Sequence, residues 1–234
     1  MSILRLDKYL ADSGIGSRSD VKKLLRKGSI RVNGEVVTAP EHKIDSETDE
    51  IQYQDILISR KDLVYYLLNK PAGYISATQD PDKPTVLSLI HDATHHDLFP
   101  VGRLDKDTEG LLLITNDGAL SHALLSPKRH VDKTYYVETD SDIAGNAVFL
   151  FQKGLDIGDD TLTLPAELTI ISPTSAYITI QEGRYHQVKR MFHVIGCEVT
   201  YLKRIRMGSL TLTDDLPIGQ YRSLTEEELS MLKK

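Results

Sequence analysis

Residues 102–110 read Gly-Arg-Leu-Asp-Lys-Asp-Thr-Glu-Gly, and they are followed directly by the aliphatic run Leu111–Ile114 and by Asn116-Asp117-Gly118. A short aliphatic run that ends at turn-forming residues predicts a buried strand closed by a tight turn. The nine residues before the strand then form a loop at the edge of a sheet, where proteins usually hold catalytic groups. Taken alone, this loop fits a solvated, salt-bridged turn equally well.

The composition is that of an ordinary folded protein. Of the 234 residues, 40% are hydrophobic and 26% are charged, which suits one good core and a small second domain. No stretch approaches the ~18 apolar residues of a membrane span, and the start, Met-Ser-Ile-Leu-Arg-Leu-Asp-Lys, lacks the apolar core of a signal peptide. The lone Cys197 excludes an internal disulfide framework. We therefore expect a cytoplasmic protein with no membrane contact.

The net charge of -6 hides two strongly basic segments. The first basic segment, Arg18–Arg31, contains six lysines and arginines and a single acid, Asp20. The second basic segment, Arg184–Arg206, contains six more and a single acid, Glu198. Because phosphate binding needs only local positive charge, the two segments predict two separate contacts with an anion.

Residues 1–59 are expected to form a small α/β domain of their own. Apolar residues at helical spacing predict a first helix from Ile3, and Ser17 or Ser19 can cap a second helix. Asn33-Gly34 between two β-rich arms is a strong hairpin signal. The outer face of the second helix carries four cations, which are Lys22, Lys23, Arg26 and Lys27.

Residues 60–234 have longer β-rich runs and are expected to form a larger α+β domain, with a mostly antiparallel sheet and a cleft across it. The expected strands are 63–68, 74–78, 133–137, 162–171 and 176–180. The expected helices are 119–125, 143–153, 185–195 and a last short helix at the capping box Thr225–Glu228.

The expected helix 185–195 places its two cations differently. At about 100° per residue, Lys189 lies about 40° outside the apolar stripe, so its side chain can reach into a cleft. Arg190 points to the far side and is expected to face solvent or phosphates. The same is expected of three cations on the following strand, which are Lys203, Arg204 and Arg206.

A group of histidines and acids after residue 90 could suggest a metal site. Its members are His91, Asp92, His95, His96 and Asp97. No helical or strand register sets these side chains on one face, and solvated histidines are common. We therefore expect a surface segment here and no metal site.

The first domain resembles the αL RNA-binding module that is named after a ribosomal protein of the small subunit. The resemblance rests on Arg5–Leu10, on Ser17-Arg18 and on the hairpin Arg31–Gly34. In that family the basic helix and the hairpin hold structured RNA by its phosphates. The resemblance therefore implies RNA binding by the exposed cations Lys22, Lys23, Arg26, Lys27 and Arg31.

Four motifs, in order along the chain, resemble those of RNA pseudouridine synthases. They are Asn69–Gly73, Gly102–Asp105 with Thr108–Leu113, Lys133–Tyr135, and Glu182–Phe192. Together with the first domain they extend the similarity over essentially the whole chain. Within the family, Asp80–Leu87 and Arg184–Phe192 are most similar to the branch that modifies small-subunit ribosomal RNA.

The resemblance implies an isomerase that detaches a uracil from its ribose, rotates the base and rejoins it through carbon, without a cofactor or metal. It implies Asp105 as the nucleophile, and attack on the sugar or on the uracil ring are both open. Lys189 would be the cation beside Asp105, whereas Tyr135 would stack on the target base and could help remove its carbon-bound proton. The other residues implied in substrate binding are Lys70, Arg103, Arg184 and Arg190.

Three other functions stay open from the sequence. A synthase of the same family could act on large-subunit ribosomal RNA or on transfer RNA. A non-enzymatic RNA-binding protein of ribosome assembly could keep this scaffold, although Asp105, Tyr135 and Lys189 together argue against it. A metal-assisted hydrolase could use Asp105 and Asp107, but a convincing third ligand is missing. The expected partner is small-subunit ribosomal RNA or a partly assembled small subunit, bound by a monomer.

Overall fold

A computed structural model describes residues 3–58, 63–91, 97–126 and 129–233. The chain divides into two compact units, residues 1–62 and residues 63–234. The domain boundary expected after residue 59 falls within residues 59–62, which lie outside the described residues.

The first unit is a set of short strands with two helices. Its elements are β1 (Ile3–Arg5), α1 (Leu6–Asp12), α2 (Arg18–Arg26), β2 (Ile30–Val32), β3 (Glu35–Val36), β4 (Lys43–Asp45), β5 (Ile51–Tyr53) and β6 (Ile56–Leu57). Strands β3, β2, β5 and β6 form one antiparallel sheet in that order, and β1 pairs with β4. The hairpin expected at Asn33-Gly34 is confirmed as the connection between β2 and β3.

The two helices begin where they do for different reasons, a side-chain cap for α2 and a strand pairing for α1. The hydroxyl of Ser17 caps α2 by accepting a hydrogen bond from the backbone N–H of Asp20 at 3.3 Å. The helix expected from Ile3 begins three residues later, because Ile3–Arg5 first pairs as β1 with β4. Both helices bury their apolar residues in one core, which leaves the cations of α2 on the outside. The fully buried core residues include Leu6, Leu10, Val21, Leu25, Ile30 and Ile51.

The second unit is built on one nine-stranded sheet. Its strands are β7 (Tyr65–Lys70), β8 (Phe99–Pro100), β9 (Glu109–Thr115), β10 (Lys133–Thr139), β11 (Glu167–Ser172), β12 (Ser175–Ile180), β13 (Val199–Met207), β14 (Leu210–Thr211) and β15 (Tyr221–Ser223). The main order is β11-β12-β10-β13-β9-β7-β15, with β14 beside β13 and β8 beside β9. Among these strands only β9 and β13 pair in parallel. The expected class, α+β with a mostly antiparallel sheet, is confirmed.

Helices pack on both faces of this sheet. They are α3 (Gly118–Leu125), α4 (Ala147–Lys153), α5 (Gln187–Val194), α6 (Glu226–Leu232) and a short 3-10 helix, Val86–Leu89. One core joins α4 and α5 to one face, and a second core joins α3 and α6 to the other. Alternate residues of β9 enter each core, so the run Leu111–Ile114 is buried on both sides, as a continuous aliphatic run predicts. Helix α6 begins at the expected capping box of Thr225 and Glu228.

Two expectations in this unit are corrected. The strand expected at residues 74–78 does not form, because both edges of β7 are occupied by β9 and β15. Ile75 makes an isolated bridge with Thr85 instead. The tight turn expected after β9 is the start of α3, where the Asp117 carboxylate accepts a hydrogen bond from the N–H of Leu120 at 2.9 Å.

None of the helices that the structure describes is long and apolar enough to cross a membrane.

Candidate active site

Lys70, at the end of β7, holds the loop of residues 102–108. Its ammonium group donates hydrogen bonds to the backbone carbonyls of Thr108 (2.7 Å), Asp105 (3.0 Å), Pro71 (3.1 Å) and Lys106 (3.3 Å). An ammonium group has three N–H donors, so these four acceptors use all of them. Because no N–H donor of this buried side chain is left for RNA, the predicted contact of Lys70 with the substrate is corrected to a role in holding the loop. Burial lowers the pKa of Lys70 to about 8, although nearby carboxylates oppose the shift.

Three further hydrogen bonds hold the same loop. The hydroxyl of Ser76 accepts a hydrogen bond from the N–H of Leu104 at 2.9 Å and donates one to the carbonyl of that residue at 2.8 Å. The N–H of Gly73 donates to the carbonyl of Lys106 at 2.8 Å. The backbone on both sides of Asp105 is therefore fixed independently of the Asp105 side chain.

Gly110 allows the loop to enter the sheet where β9 meets β13. Its φ is +98°, and a Cβ atom at this position would lie 2.2 Å from the carbonyl oxygen of Arg204. Such an approach is impossible for any other residue without moving a strand. The second glycine of the loop sequence is thus required by the parallel pairing of β9 with β13.

The carboxylate of Asp105 faces the start of helix α5. Its oxygens lie 3.5 Å from Nε2 of His186 and 4.0 Å from Nζ of Lys189. The side chain of Asp105 is 29% exposed, so the carboxylate is partly desolvated and still accessible. The structure thus brings together the carboxylate and the cation that the sequence motifs singled out.

Lys189 makes its shortest contacts with a second carboxylate. Its Nζ lies 2.6 Å from both side-chain oxygens of Asp107. Partial burial raises the pKa of Asp107, but the hydrogen bond and the charge of Lys189 outweigh it and hold this pKa below its ordinary value. Lys189 is therefore shared between Asp105 and Asp107, whereas the sequence predicted a pair with Asp105 alone.

His186 is a site residue that the sequence interpretation missed. It lies directly before α5 in the left-handed conformation, with φ 47° and ψ 34°. A non-glycine residue in this conformation costs free energy and often marks a functional constraint. Its ring stacks on the exposed Tyr185, with the ring centroids 3.9 Å apart. The available signal was the position of His186 three residues before Lys189, near the same end of the helix.

Tyr135 lies on β10, on the sheet face that α5 covers. It is 7% exposed and belongs to the same core as Val188 of α5. The strand register places Tyr135 opposite Arg204 of β13, which in turn lies opposite Gly110. Arg204 is 2% exposed, so the expectation that it faces solvent or phosphates is wrong.

The other arginines predicted to bind substrate differ in their surroundings. Arg103 is exposed and makes no hydrogen bond or ion pair among the described residues. The guanidinium of Arg184 binds Glu182 at 3.0 Å and the carbonyl of Leu162 at 2.6 Å. The guanidinium of Arg190 binds Asp159 at 2.6 Å and also the backbone carbonyl of Ile157. The last two cations are thus engaged within the protein, which argues against the predicted contact with RNA.

The cations of α2 and β2 lie on the surface of the first unit. Lys22, Arg26 and Lys27 are exposed, with no hydrogen bond or ion pair in the part of the chain that the structure describes. Lys23 pairs with Asp20 at 3.1 Å, and Arg31 donates a hydrogen bond to the carbonyl of Gly34 at 3.0 Å. The basic face expected on the second helix is therefore present.

Only part of the histidine-rich segment lies within the described residues. Asp92, His95 and His96 lie outside the described residues, and His91 is exposed. Within the described ranges, no three histidine, cysteine or acidic side chains are placed so that they could hold a metal ion.

A loop carboxylate beside a lysine, with a tyrosine on the adjoining sheet face, is an arrangement suited to nucleophilic catalysis. The chain belongs to the RNA pseudouridylate synthase family, whose model matches residues 64–194. A model of the S4 domain matches residues 4–51. The prediction of an isomerase of this family with an amino-terminal RNA-binding domain is confirmed.

Relatives are similar over nearly the whole length. The chain is 43% identical to the uncharacterized RNA pseudouridine synthase YtzG of Bacillus subtilis, with 99% of each chain covered. It is 42% identical to ribosomal small subunit pseudouridine synthase A of Escherichia coli, over 97% of this chain and 99% of the relative. A crystal structure of a pseudouridylate synthase is 38% identical and superposes with a TM-score of 0.72, covering 98% of this chain and 99% of that one.

Proposed function

We propose that the protein converts a specific uridine of small-subunit ribosomal RNA to pseudouridine, with Asp105 as the nucleophile. The observation that carries the proposal is the Asp105 carboxylate, fixed on a loop that Lys70 anchors and lying 4.0 Å from Lys189. The choice of RNA is supported by the Escherichia coli relative, whose name specifies the ribosomal small subunit.

A carboxylate nucleophile suits this exchange because it can form and later release an ester-like bond. In one order of events Asp105 attacks C1′ of the ribose, the C1′–N1 bond breaks, and uracil leaves as an anion. The base turns, C5 attacks C1′ and the Asp105 oxygen leaves. C5 then loses its proton and N1 takes one up, so the product is an isomer of the substrate. In the other order, Asp105 adds first to C6 of the uracil ring.

Three other side chains have roles in this proposal. The positive charge of Lys189, 4.0 Å from Asp105, offsets the cost of holding a carboxylate in a partly dry site. Tyr135 stacks on the target base and is a candidate for removing the C5 proton. Arg103, which is exposed and unpaired among the described residues, is available to hold a phosphate of the target nucleotide.

The first unit is proposed to supply part of the RNA affinity. The reaction needs the whole face of the base, so the uridine has to leave its stack, which costs about a few kcal/mol. Contacts between phosphates and the cations of α2 offset that cost. We propose residues 1–59 as the RNA-binding domain, residues 60–234 as the catalytic domain, a monomer as the active form and the cytoplasm as its compartment.

The test is to mix the protein with unmodified small-subunit and large-subunit ribosomal RNA, each naked and as protein-bound particles. Pseudouridine is then mapped by carbodiimide treatment and primer extension. One new stop in small-subunit RNA is the expected result. A stop only in large-subunit RNA, or modification only of transfer RNA, would keep the chemistry and overturn the proposed substrate. No stop on any RNA despite tight binding would favour the non-enzymatic assembly protein.

Asp105→Asn is the variant that tests the nucleophile. It should fold, bind RNA and make no pseudouridine, because a neutral amide cannot form the covalent bond. Asp214→Asn is the matched control, since Asp214 is an exposed aspartate outside the loop. Pseudouridine formed by Asp105→Asn at the normal rate would refute the assignment of Asp105.

A further inference from the structure

Arg204 is a buried cation without an acidic partner in the described part of the chain. The residue is only 2% exposed. Its Nε donates a hydrogen bond to the backbone carbonyl of Leu111 at 2.8 Å. Its Nη2 is also buried and has no hydrogen-bond partner among the described residues. An unpaired N–H group on a buried charge is costly, and native proteins rarely keep one without a functional reason.

The position of Arg204 connects it to the proposed site. Lys70, Gly110, Arg204 and Tyr135 lie opposite one another on four neighbouring strands, so they form one transverse row. Residues opposite one another on paired strands share a face of the sheet, with Cβ atoms about 5 Å apart in antiparallel pairs. The strand pair β10–β13 also has a register shift between Thr134 and Tyr135. Such irregularities are frequent beside active sites, where they redirect a side chain.

The other cations near this row already have partners. The ammonium of Lys70 is used by four carbonyls, and that of Lys133 donates to the carbonyl of Val131 at 2.9 Å. Lys189 is shared by two carboxylates. Arg204 is therefore the cation of this group with a buried N–H donor that has no hydrogen-bond partner among the described residues.

We infer that Arg204 is a further catalytic residue, which hydrogen-bonds a carbonyl oxygen of the target uracil through Nη2 and stabilises the negative charge of the base. This inference rests on the proposed function. If Asp105 attacks C1′, the electron pair of the C1′–N1 bond leaves with the base, and the charge spreads onto its carbonyl oxygens. If Asp105 adds to C6 instead, the ring becomes an enolate with charge on the same oxygens. A preorganised, desolvated donor stabilises this charge in both orders of events.

The first test compares Arg204→Gln and Arg204→Lys with the wild type in single-turnover assays. Arg204→Gln should lower the rate constant about 100-fold at saturating RNA, with the RNA concentration for half-maximal rate changed less than about threefold. Arg204→Lys should recover part of the rate, because it keeps a positive charge. Arg222→Gln is the control, since it removes a guanidinium of the same sheet that is paired with Glu228. A normal rate for Arg204→Gln would overturn the inference.

A second substrate separates a catalytic role from a structural one. Fluorine at C5 withdraws electrons and makes the uracil anion more stable, so breakdown of 5-fluorouridine in the RNA should depend less on Arg204. The rate lost in Arg204→Gln should therefore be several-fold smaller for RNA with 5-fluorouridine at the target position than for uridine RNA. Equal losses on both substrates would mean that Arg204 only supports the fold, and they would overturn the inference while leaving the proposed function intact. Wild-type protein inactive on every RNA would overturn the proposed function itself.

A third measurement needs no variant and decides the matter if substitution of Arg204 unfolds the chain. The barbituric acid ribonucleotide has an anionic ring at neutral pH. RNA that carries it at the target position should bind to the wild-type protein at least about tenfold more tightly than the same RNA with uridine. Equal or weaker binding of the anionic base would overturn the inference.

Discussion

The two basic segments have the same number of cations and use them in opposite ways. In the first basic segment, four of the six cations are exposed and have no hydrogen bond or ion pair in the described ranges; they are Arg18, Lys22, Arg26 and Lys27. In the second basic segment, Arg184 and Arg190 bind Asp159, Lys189 binds Asp107, and Arg204 is buried. Equal charge in the sequence therefore gives mostly exposed, unpaired cations in one unit and mostly paired or buried cations in the other.

The difference comes from acids that lie far away in the sequence. Asp107 is 82 residues from Lys189, and Asp159 is 31 residues from Arg190. The acid within the first basic segment, Asp20, neutralises only Lys23. A free cation can neutralise an RNA phosphate, whereas a paired one must first give up its carboxylate. We therefore expect the first basic segment to determine RNA affinity and the second to determine the catalytic rate.

Among the cations of the two basic segments, the largest effect is expected from Lys189→Gln. Loss of the cation beside Asp105 should lower the single-turnover rate constant about 100- to 1000-fold, as removal of one preorganised charge partner does in other active sites. RNA affinity, measured by filter binding, should change little. A loss of RNA affinity with a normal rate constant would show that Lys189 acts like the unpaired cations of α2. It would contradict the division of affinity and rate between the two basic segments. Lys189→Arg is the control, because it retains the charge and should keep most of the rate.

The next largest effect is expected from reversing the charge of the α2 face. Lys22, Lys23, Arg26 and Lys27 changed together to Glu should weaken RNA binding about 30-fold and flatten the salt dependence by about three logarithmic units per decade of salt. At saturating RNA the rate constant should stay near the wild-type value. An unchanged salt slope would show that α2 does not touch phosphate. Among single variants, Lys22→Glu should weaken RNA binding more than Lys43→Glu does. Lys43 is the control because it is an exposed lysine of the same unit outside α2.

The same difference explains how far the sequence could predict the molecule. The loop before β9, the buried run Leu111–Ile114 and the capping box at Thr225 depend on neighbouring residues, so local patterns identified them. The strand expected at residues 74–78 failed because two distant strands occupy the edges of β7. The burial of Lys70 and Arg204 and the approach of His186 to Asp105 also depend on contacts between remote parts of the chain. Such contacts leave no periodicity in a single sequence.

A smaller effect is expected from pH, through Lys70. Its pKa is lowered to about 8, so a rate that depends on the ammonium should fall about tenfold between pH 7 and pH 9. The folded-state pKa lies below the unfolded-state value, so between these two pKa values the unfolded chain binds more protons and stability rises with pH. Deprotonation of Lys70 should therefore lower the rate without unfolding the protein, and far-UV circular dichroism should show a folded chain across this pH range. Lys70→Met should be slow at every pH, and a wild-type rate that stays constant to pH 9 would contradict the role of the ammonium.

The smallest effect on RNA binding is expected at Arg190, although the sequence alone predicts the opposite. Its guanidinium is committed to Asp159 and to the carbonyl of Ile157, so Arg190→Gln should change RNA affinity less than about twofold and leave the salt slope unaltered. Loss of the contact with Asp159 should instead lower the melting temperature of the protein by a few degrees. Hydrogen bonding to Arg190 also lowers the pKa of Asp159, so this stabilisation should be lost as the pH falls through that pKa. Lys22→Gln should behave in the opposite way, with weaker RNA binding at unchanged melting temperature. If both variants weaken binding equally, the second basic segment also binds phosphate, and pairing with acids does not distinguish the two regions.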